Sequence, residues 1–268
     1  MAIDLNCDMG EGAGEDEGIV PLVSSINVAC GFHAGDPSTI RETIRLAARH
    51  GVAVGAHPSY PDRAGFGRAP MARTPAQVRD DVLYQVAAVR AFCRAEGVPL
   101  VHVKPHGALY NVAAQDAGLA RAIAEAVREI DPALVVVCLA GSPMADVVRS
   151  LGLRCAEEAF ADRGYTPRGT LVPRGEPGAL IEDPEAVADR VAAMARDRRV
   201  TSVAGTPVAV AADTICLHGD TPDAARLAAA IRARLARDGI EVRRPWLDTG
   251  SVPWKPTEVI PSPKGTNP

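Results

Sequence analysis

The sequence predicts an α/β protein built as an irregular, seven- or eight-stranded β/α (TIM-like) barrel. Short apolar runs alternate with amphipathic helical stretches about seven times, the order that a parallel sheet requires. The reactive residues lie after the apolar runs, and a β/α barrel forms its site at the carboxyl ends of its strands. No Gly-x-Gly-x-x-Gly opens a first helix, which disfavours a dinucleotide-binding fold. An open doubly wound sheet ranks second, and its sites would also lie at strand ends. At 268 residues the chain fits one large domain, 1–252, followed by a proline-rich tail, 253–268.

The first strand is the apolar run Met1 to Leu5. It gives way to Asn6, Asp8 and Glu11 among glycines that let the backbone turn tightly. A second strand, Ser25 to Cys30, leads through His33 to Asp36-Pro37, an N-cap and a first helical residue, and Gly51 ends that helix. The third strand, Ala53 to Ala56, opens into a loop carrying Arg63, Arg68 and Arg73. Thr74-Pro75-Ala76-Gln77 forms a capping box, and Val78, Val82, Val86, Val89 and Cys93 then recur at helical spacing. Leu100 to Lys104 is the fourth strand, with a helix over Ala114 to Ile130. Leu134 to Leu139 is the fifth, with a short helix over Pro143 to Leu151. Leu153 to Phe160 is the sixth, followed by a loop rich in Pro, Gly and Arg. Asp183-Pro184 caps a helix to Arg196. Thr214 to Leu217 is the seventh strand and ends in His218-Gly219-Asp220. Thr221-Pro222 opens the last helix, and Ile240 to Arg243 reads as a closing strand.

Composition narrows the function. A net charge of −4 without a run of Lys or Arg speaks against nucleic acid and against an anionic membrane surface. No apolar run reaches the length of a membrane span, and no secretory leader pattern precedes the first strand. The six cysteines are scattered without a Cys-x-x-Cys pair, as expected of reduced core thiols in a cytoplasmic protein.

Four of the six histidines, His33, His57, His106 and His218, sit at predicted strand ends. Each alone can be structural; all four being so is not expected. Asp8 with histidines from other strands can hold a divalent metal, but no tight spacing such as His-x-x-x-His marks a site, so no residue is assigned as a ligand. Lys104 and His106 lie two apart, so an extended segment turns both to one side. Beside Asp8 or Glu11 the lysine stays charged and can bind a carboxylate or an oxyanion. Arg63 or Arg68 can clamp a carboxylate or phosphate. No Gly-x-x-x-x-Gly-Lys-Ser/Thr occurs, so this chain does not reveal how ATP would be held. No Gly-x-Ser-x-Gly elbow occurs either, which disfavours a serine hydrolase.

Six segments closely resemble the LamB/YcsF family, described as the A subunit of the prokaryotic 5-oxoprolinase. They are Asp4 to Gly12, Asn27 to Asp36, Gly55 to Asp62 with Gly65 to Arg68, Val103 to Asn111, Glu157 to Tyr165, and Cys216 to Asp220. The resemblance implies the barrel shared by glycoside hydrolases and carbohydrate deacetylases. It implies ATP-dependent opening of 5-oxo-L-proline to L-glutamate with partner subunits B and C, which look responsible for using the ATP. On that chemistry Asp8 is expected as base, His57 or His106 as acid, and Lys104 as the neutraliser of an oxyanion or phosphate. Asn6, Glu11, His33 and His218 are expected to bind or orient, and Arg63 or Arg68 to hold the substrate carboxylate. Two rival readings are a metal-dependent amide or N-acetyl hydrolase acting alone and a non-catalytic substrate-binding subunit.

Overall fold

The computed structural model describes residues 1–12 and 14–244. The expected tail, 253–268, lies outside the described residues, as does the end of the expected domain. Seven parallel strands close a barrel: β1 (Ala2–Met9), β2 (Ser25–Ala29), β3 (Ala53–His57), β4 (Leu100–Val103), β5 (Val135–Leu139), β6 (Arg154–Phe160) and β9 (Thr214–Leu217). Neighbours pair in that order, and β9 pairs back onto β1 through Asp4 with Thr214 and Asn6 with Cys216.

The helices lie between successive strands. They are α2 (Pro37–His50), α3 (Pro75–Ala95), α4 (Gly107–Ala113), α5 (Ala117–Ile130), α6 (Pro143–Ser150), α7 (Pro184–Asp197) and α8 (Ala224–Arg237), preceded by a short α1 (Asp16–Ile19). The caps read from sequence do their work locally. Asp36 accepts from the amides of Ser38 and Thr39, Gly51 ends α2 in the left-handed region, and Thr74 and Gln77 form the capping box of α3. The main apolar core lies between the outer faces of the strands and these helices. Leu5, Cys7 and Met9 of β1 belong to it, as do Ile26, Val28 and Val54.

Several elements differ from the sequence expectation. The helix expected over Ala114 to Ile130 is α5, which starts three residues later because Asp116 caps it through the amides of Gly118 and Leu119, and the unforeseen α4 precedes it at the tip of β4. Thr221 does not open α8. Its hydroxyl is committed to Asp162 at 2.5 Å, and the helix starts after Asp223. The hairpin β7 (Arg199–Thr201) with β8 (Pro207–Ala209) was not foreseen, since each strand offers only three residues of pattern. β10 (Glu241–Val242) pairs with Ala2 and Ile3 at the amino end of β1, so β9 and not the last strand closes the barrel. Among the described residues no helix is long and apolar enough to cross a membrane.

Candidate active site

The strand period of two sends alternate residues of β1 inward. Asp4, Asn6 and Asp8 form a polar column inside the barrel. Asp4 accepts hydroxyl hydrogen bonds from Ser24, Ser25 and Thr214. Asn6 donates to Glu158 Oε1 at 2.9 Å and to Thr214 Oγ1 at 2.7 Å. Asp8 stands nearest the carboxyl rim, where Asn27 Nδ2 donates to its Oδ1 at 2.8 Å.

Lys104 follows β4 and is 2 % exposed. Its ammonium reaches Asp8 Oδ1 at 3.0 Å, Glu158 Oε1 at 2.9 Å and Cys216 Sγ at 3.0 Å, with Asn6 Oδ1 at 3.3 Å. A buried ammonium is tolerable when paired and hydrogen-bonded. Burial works against its charge, but Asp8, Cys216 and Glu158 together hold its pKa well above the usual lysine range. Burial likewise opposes the charge of Asp8, and His57 and Lys104 outweigh it, holding that carboxyl well below its ordinary value.

His57 ends β3. Its Nδ1 lies 2.7 Å from the Lys104 carbonyl and its Nε2 lies 3.4 Å from Asp8 Oδ2. His106 Nε2 lies 2.8 Å from the Phe66 carbonyl, and His106 Nδ1 faces His57 Nε2 at 3.0 Å. Burial disfavours charge on His57, yet Asp8 raises its pKa above the ordinary histidine value, whereas burial pushes His106 down. His33 Nε2 contacts Glu11 Oε1 at 2.8 Å, and its ring stacks on His106 at 3.8 Å. Burial pushes His33 down to about 4. Burial opposes the Glu11 charge, but the neighbouring His106 and His33 imidazoles keep its carboxyl below the usual range.

Two glycines make this packing possible. A Cβ on Gly55 would stand 2.1 Å from His102 Nε2, the atom that contacts Asn27 Oδ1 at 2.8 Å. Gly67 has φ +64°, and a Cβ there would lie 2.9 Å from His106 Cδ2. Only a residue without a side chain lets the β3–α3 loop close over that imidazole in this conformation.

Asp8, Glu11, His57, Lys104, His106 and His218 line a pocket of about 760 Å³. His218, close to Asp8 and Cys216, holds Asp162 through Nδ1 at 2.9 Å and stacks on Phe160. Arg68 lines the rim, pairs with Asp220 and packs on the ring of Phe66. Arg63 does not belong to the pocket wall: its guanidinium donates to the Gly31 and Gly35 carbonyls at 3.1 and 2.9 Å, pinning the neighbouring loop. Asn6 and His33 also stand behind the wall, each touching a residue that lines it.

Sequence reasoning missed Asn27, Glu158 and Asp162 as parts of this network. A polar residue within the apolar run of β2, and an acid at an inward position of β6, were the available signals. It also missed Arg168 and Arg174, exposed residues of the β6–α7 loop that line the pocket mouth. Ligand atoms of Glu11, His33, His57 and His106 all lie within 4.8 Å of one another, and Asp8, Cys216 and His218 form a second such group.

A closed parallel barrel with buried ionisable groups gathered at the carboxyl ends of its strands defines a TIM-like β/α-barrel protein with its site in the usual place for that fold. Residues 3–248 match the LamB/YcsF family, and the chain belongs to it. It is 53 % identical over 247 residues to a protein of Bordetella pertussis described as a 5-oxoprolinase A subunit, covering 90 % of this chain and 98 % of that one. A protein of the same description from Syntrophobacter fumaroxidans is 51 % identical over 247 residues, with the same coverage. The crystal structure of a lactam utilization protein from Thermus thermophilus superposes with a TM-score of 0.86 at 51 % identity, covering 91 % of this chain and all of that one.

Proposed function

We propose that this chain is the lactam-opening component of an ATP-dependent 5-oxoprolinase that works with two partner subunits, B and C. The observation that carries the reading is the Lys104 ammonium held between Asp8 and Glu158, beside His57, at the floor of the pocket. Relatives about half identical in sequence and described as 5-oxoprolinase A subunits support the substrate.

A five-membered lactam is a poor electrophile with a poor leaving group, and phosphorylation of its oxygen by the partners would activate the ring carbon. Asp8, kept ionised, takes a proton from the attacking water in this reading. As the water oxygen bonds to the ring carbon and the carbon–nitrogen bond breaks, His57 gives a proton to the departing nitrogen. A second water then releases phosphate from the resulting acyl phosphate, leaving glutamate. Lys104 faces the oxygen on which negative charge collects. Arg68, Arg168 and Arg174 supply cationic groups at the mouth for the substrate carboxylate and the phosphoryl group.

The test is to co-purify the chain with the two partners and measure glutamate release from 5-oxoproline with and without ATP. Release that needs all three chains and ATP supports the reading. Turnover by this chain alone without ATP refutes it.

A further inference from the structure

We infer that Glu11, His57 and His106 form a binding site for one divalent transition-metal ion of the zinc class, with an open position toward the pocket. The inference goes beyond the lactam reading: it concerns the isolated chain, needs neither ATP nor partners, and makes His57 Nε2 a ligand in place of the proton donor of that reading while the ion is bound.

The hydrogen bonds at the back of each ring carry it. A carbonyl oxygen can only accept, so the nitrogens that meet the Lys104 and Phe66 carbonyls bear the ring hydrogens: Nδ1 of His57 and Nε2 of His106. In the neutral rings the opposite nitrogens, His57 Nε2 and His106 Nδ1, would present lone pairs to each other across 3.0 Å, so a proton or a metal ion belongs between them. A carboxylate oxygen of Glu11 joins them, 3.3 Å from His106 Nδ1 and 3.7 Å from His57 Nε2. Three electron-pair donors, all largely buried, thus converge on one small space that a positive species must fill.

The spacing suits a metal. Zinc bonds to imidazole and carboxylate run about 2.0–2.1 Å, so two ligand atoms on a tetrahedral ion stand about 3.3–3.4 Å apart. The three observed separations, 3.0, 3.3 and 3.7 Å, bracket that edge. Two imidazoles and one carboxylate with a fourth position left open is a donor set of catalytic zinc. The outer shell is also in place, since ligating histidines commonly donate the other ring hydrogen to a carbonyl. His33 supports the third ligand from behind, with Nε2 2.8 Å from Glu11 Oε1. All three proposed ligands line the pocket, beside Asp8. They come from three different strand–helix units, which is why no compact motif announces them.

The test uses the full chain stripped with a chelator and titrated with Zn²⁺ against a chromophoric competitor, then with Co²⁺. The inference expects one equivalent of Zn²⁺ per chain and the intense visible bands of four-coordinate cobalt. X-ray absorption of the zinc-loaded wild type should report two imidazoles and no sulfur ligand. His106→Ala should weaken zinc at least about 100-fold, more than the 10–100-fold typical for loss of an outer-shell partner. His50→Ala, which alters a histidine at the far end of α2, should leave it unchanged. Substoichiometric zinc, weak octahedral cobalt bands, or a zinc shell containing cysteine sulfur would overturn it. The wild-type spectra decide the matter even if a variant fails to fold. Zinc binding without lactam turnover would keep this inference and remove the proposed function, and the reverse result would do the opposite.

Discussion

Replacing Lys104 with methionine removes one charge, keeps most of the side-chain volume and strands two buried carboxylates. Asp8 is 6 % exposed and Glu158 fully buried, and the ammonium lies 3.0 and 2.9 Å from them. Removing one partner of a buried ion pair costs about 3–5 kcal/mol, because the other is left as an uncompensated charge. Lys104→Met should therefore lose about 3–5 kcal/mol at neutral pH, measured by urea unfolding of the isolated chain. The pH dependence follows from linkage. In the wild type the depressed Asp8 carboxyl contributes stability that is present above its unfolded pKa of about 3.9 and lost as pH falls through the folded value. Without the ammonium, burial acts on Asp8 less opposed. The deficit of the variant should then shrink as pH drops from about 8 to 5, because a protonated Asp8 needs no counter-charge. Adding Asp8→Asn should return about 0.5–3 kcal/mol as coupling energy. A loss within about 0.5 kcal/mol, the range of ordinary surface changes, with no pH dependence, would refute the reasoning.

Three further outcomes are expected. In chelator-treated protein His57 should titrate above the ordinary histidine value by NMR and His33, pushed to about 4, well below it; a His57 that titrates below about 6.5 would contradict the assignment. The raised His57 pKa contributes stability that is full below its unfolded value of about 6.5 and fades as pH rises through the folded one. Gly55→Ala should cost about 1–3 kcal/mol by thermal or urea unfolding, since its Cβ must displace the His102 ring, and a neutral effect would deny that contact. Arg68→Ala should raise KM for the lactam roughly 10–100-fold, the worth of a charge-assisted hydrogen bond, with little change in kcat, whereas Arg63→Ala should leave KM unchanged.

Much of the barrel was legible because its signals are local. Asp36-Pro37, Thr74-Pro75 and Asp183-Pro184 announce helices by chemistry that acts within one turn, and the helices start there. What escaped depends on contacts distant in sequence. Thr221 would cap a helix if its hydroxyl were free, but Asp162 claims it across the barrel rim. The same distance hides Glu158: its role appears only when β6, β1 and β4 are folded into one barrel and its carboxylate meets Asn6 and Lys104. Asp8, His57, Lys104 and His106 were legible as candidates because each ends or follows a strand, and the structure brings them within hydrogen-bonding reach of one another. Arg63 had the same signal and a different fate, because its reach from the loop falls on the Gly31 and Gly35 carbonyls.

The most direct measurement is the rate of ATP-dependent glutamate release by the three-chain complex carrying Asp8→Asn. Loss of a positioned general base predicts a fall of about 10²–10⁴-fold in turnover, with the chain folded and the complex still co-purifying. Turnover equal to that of the wild type would contradict the account, since the group at its centre would then have no part in the reaction.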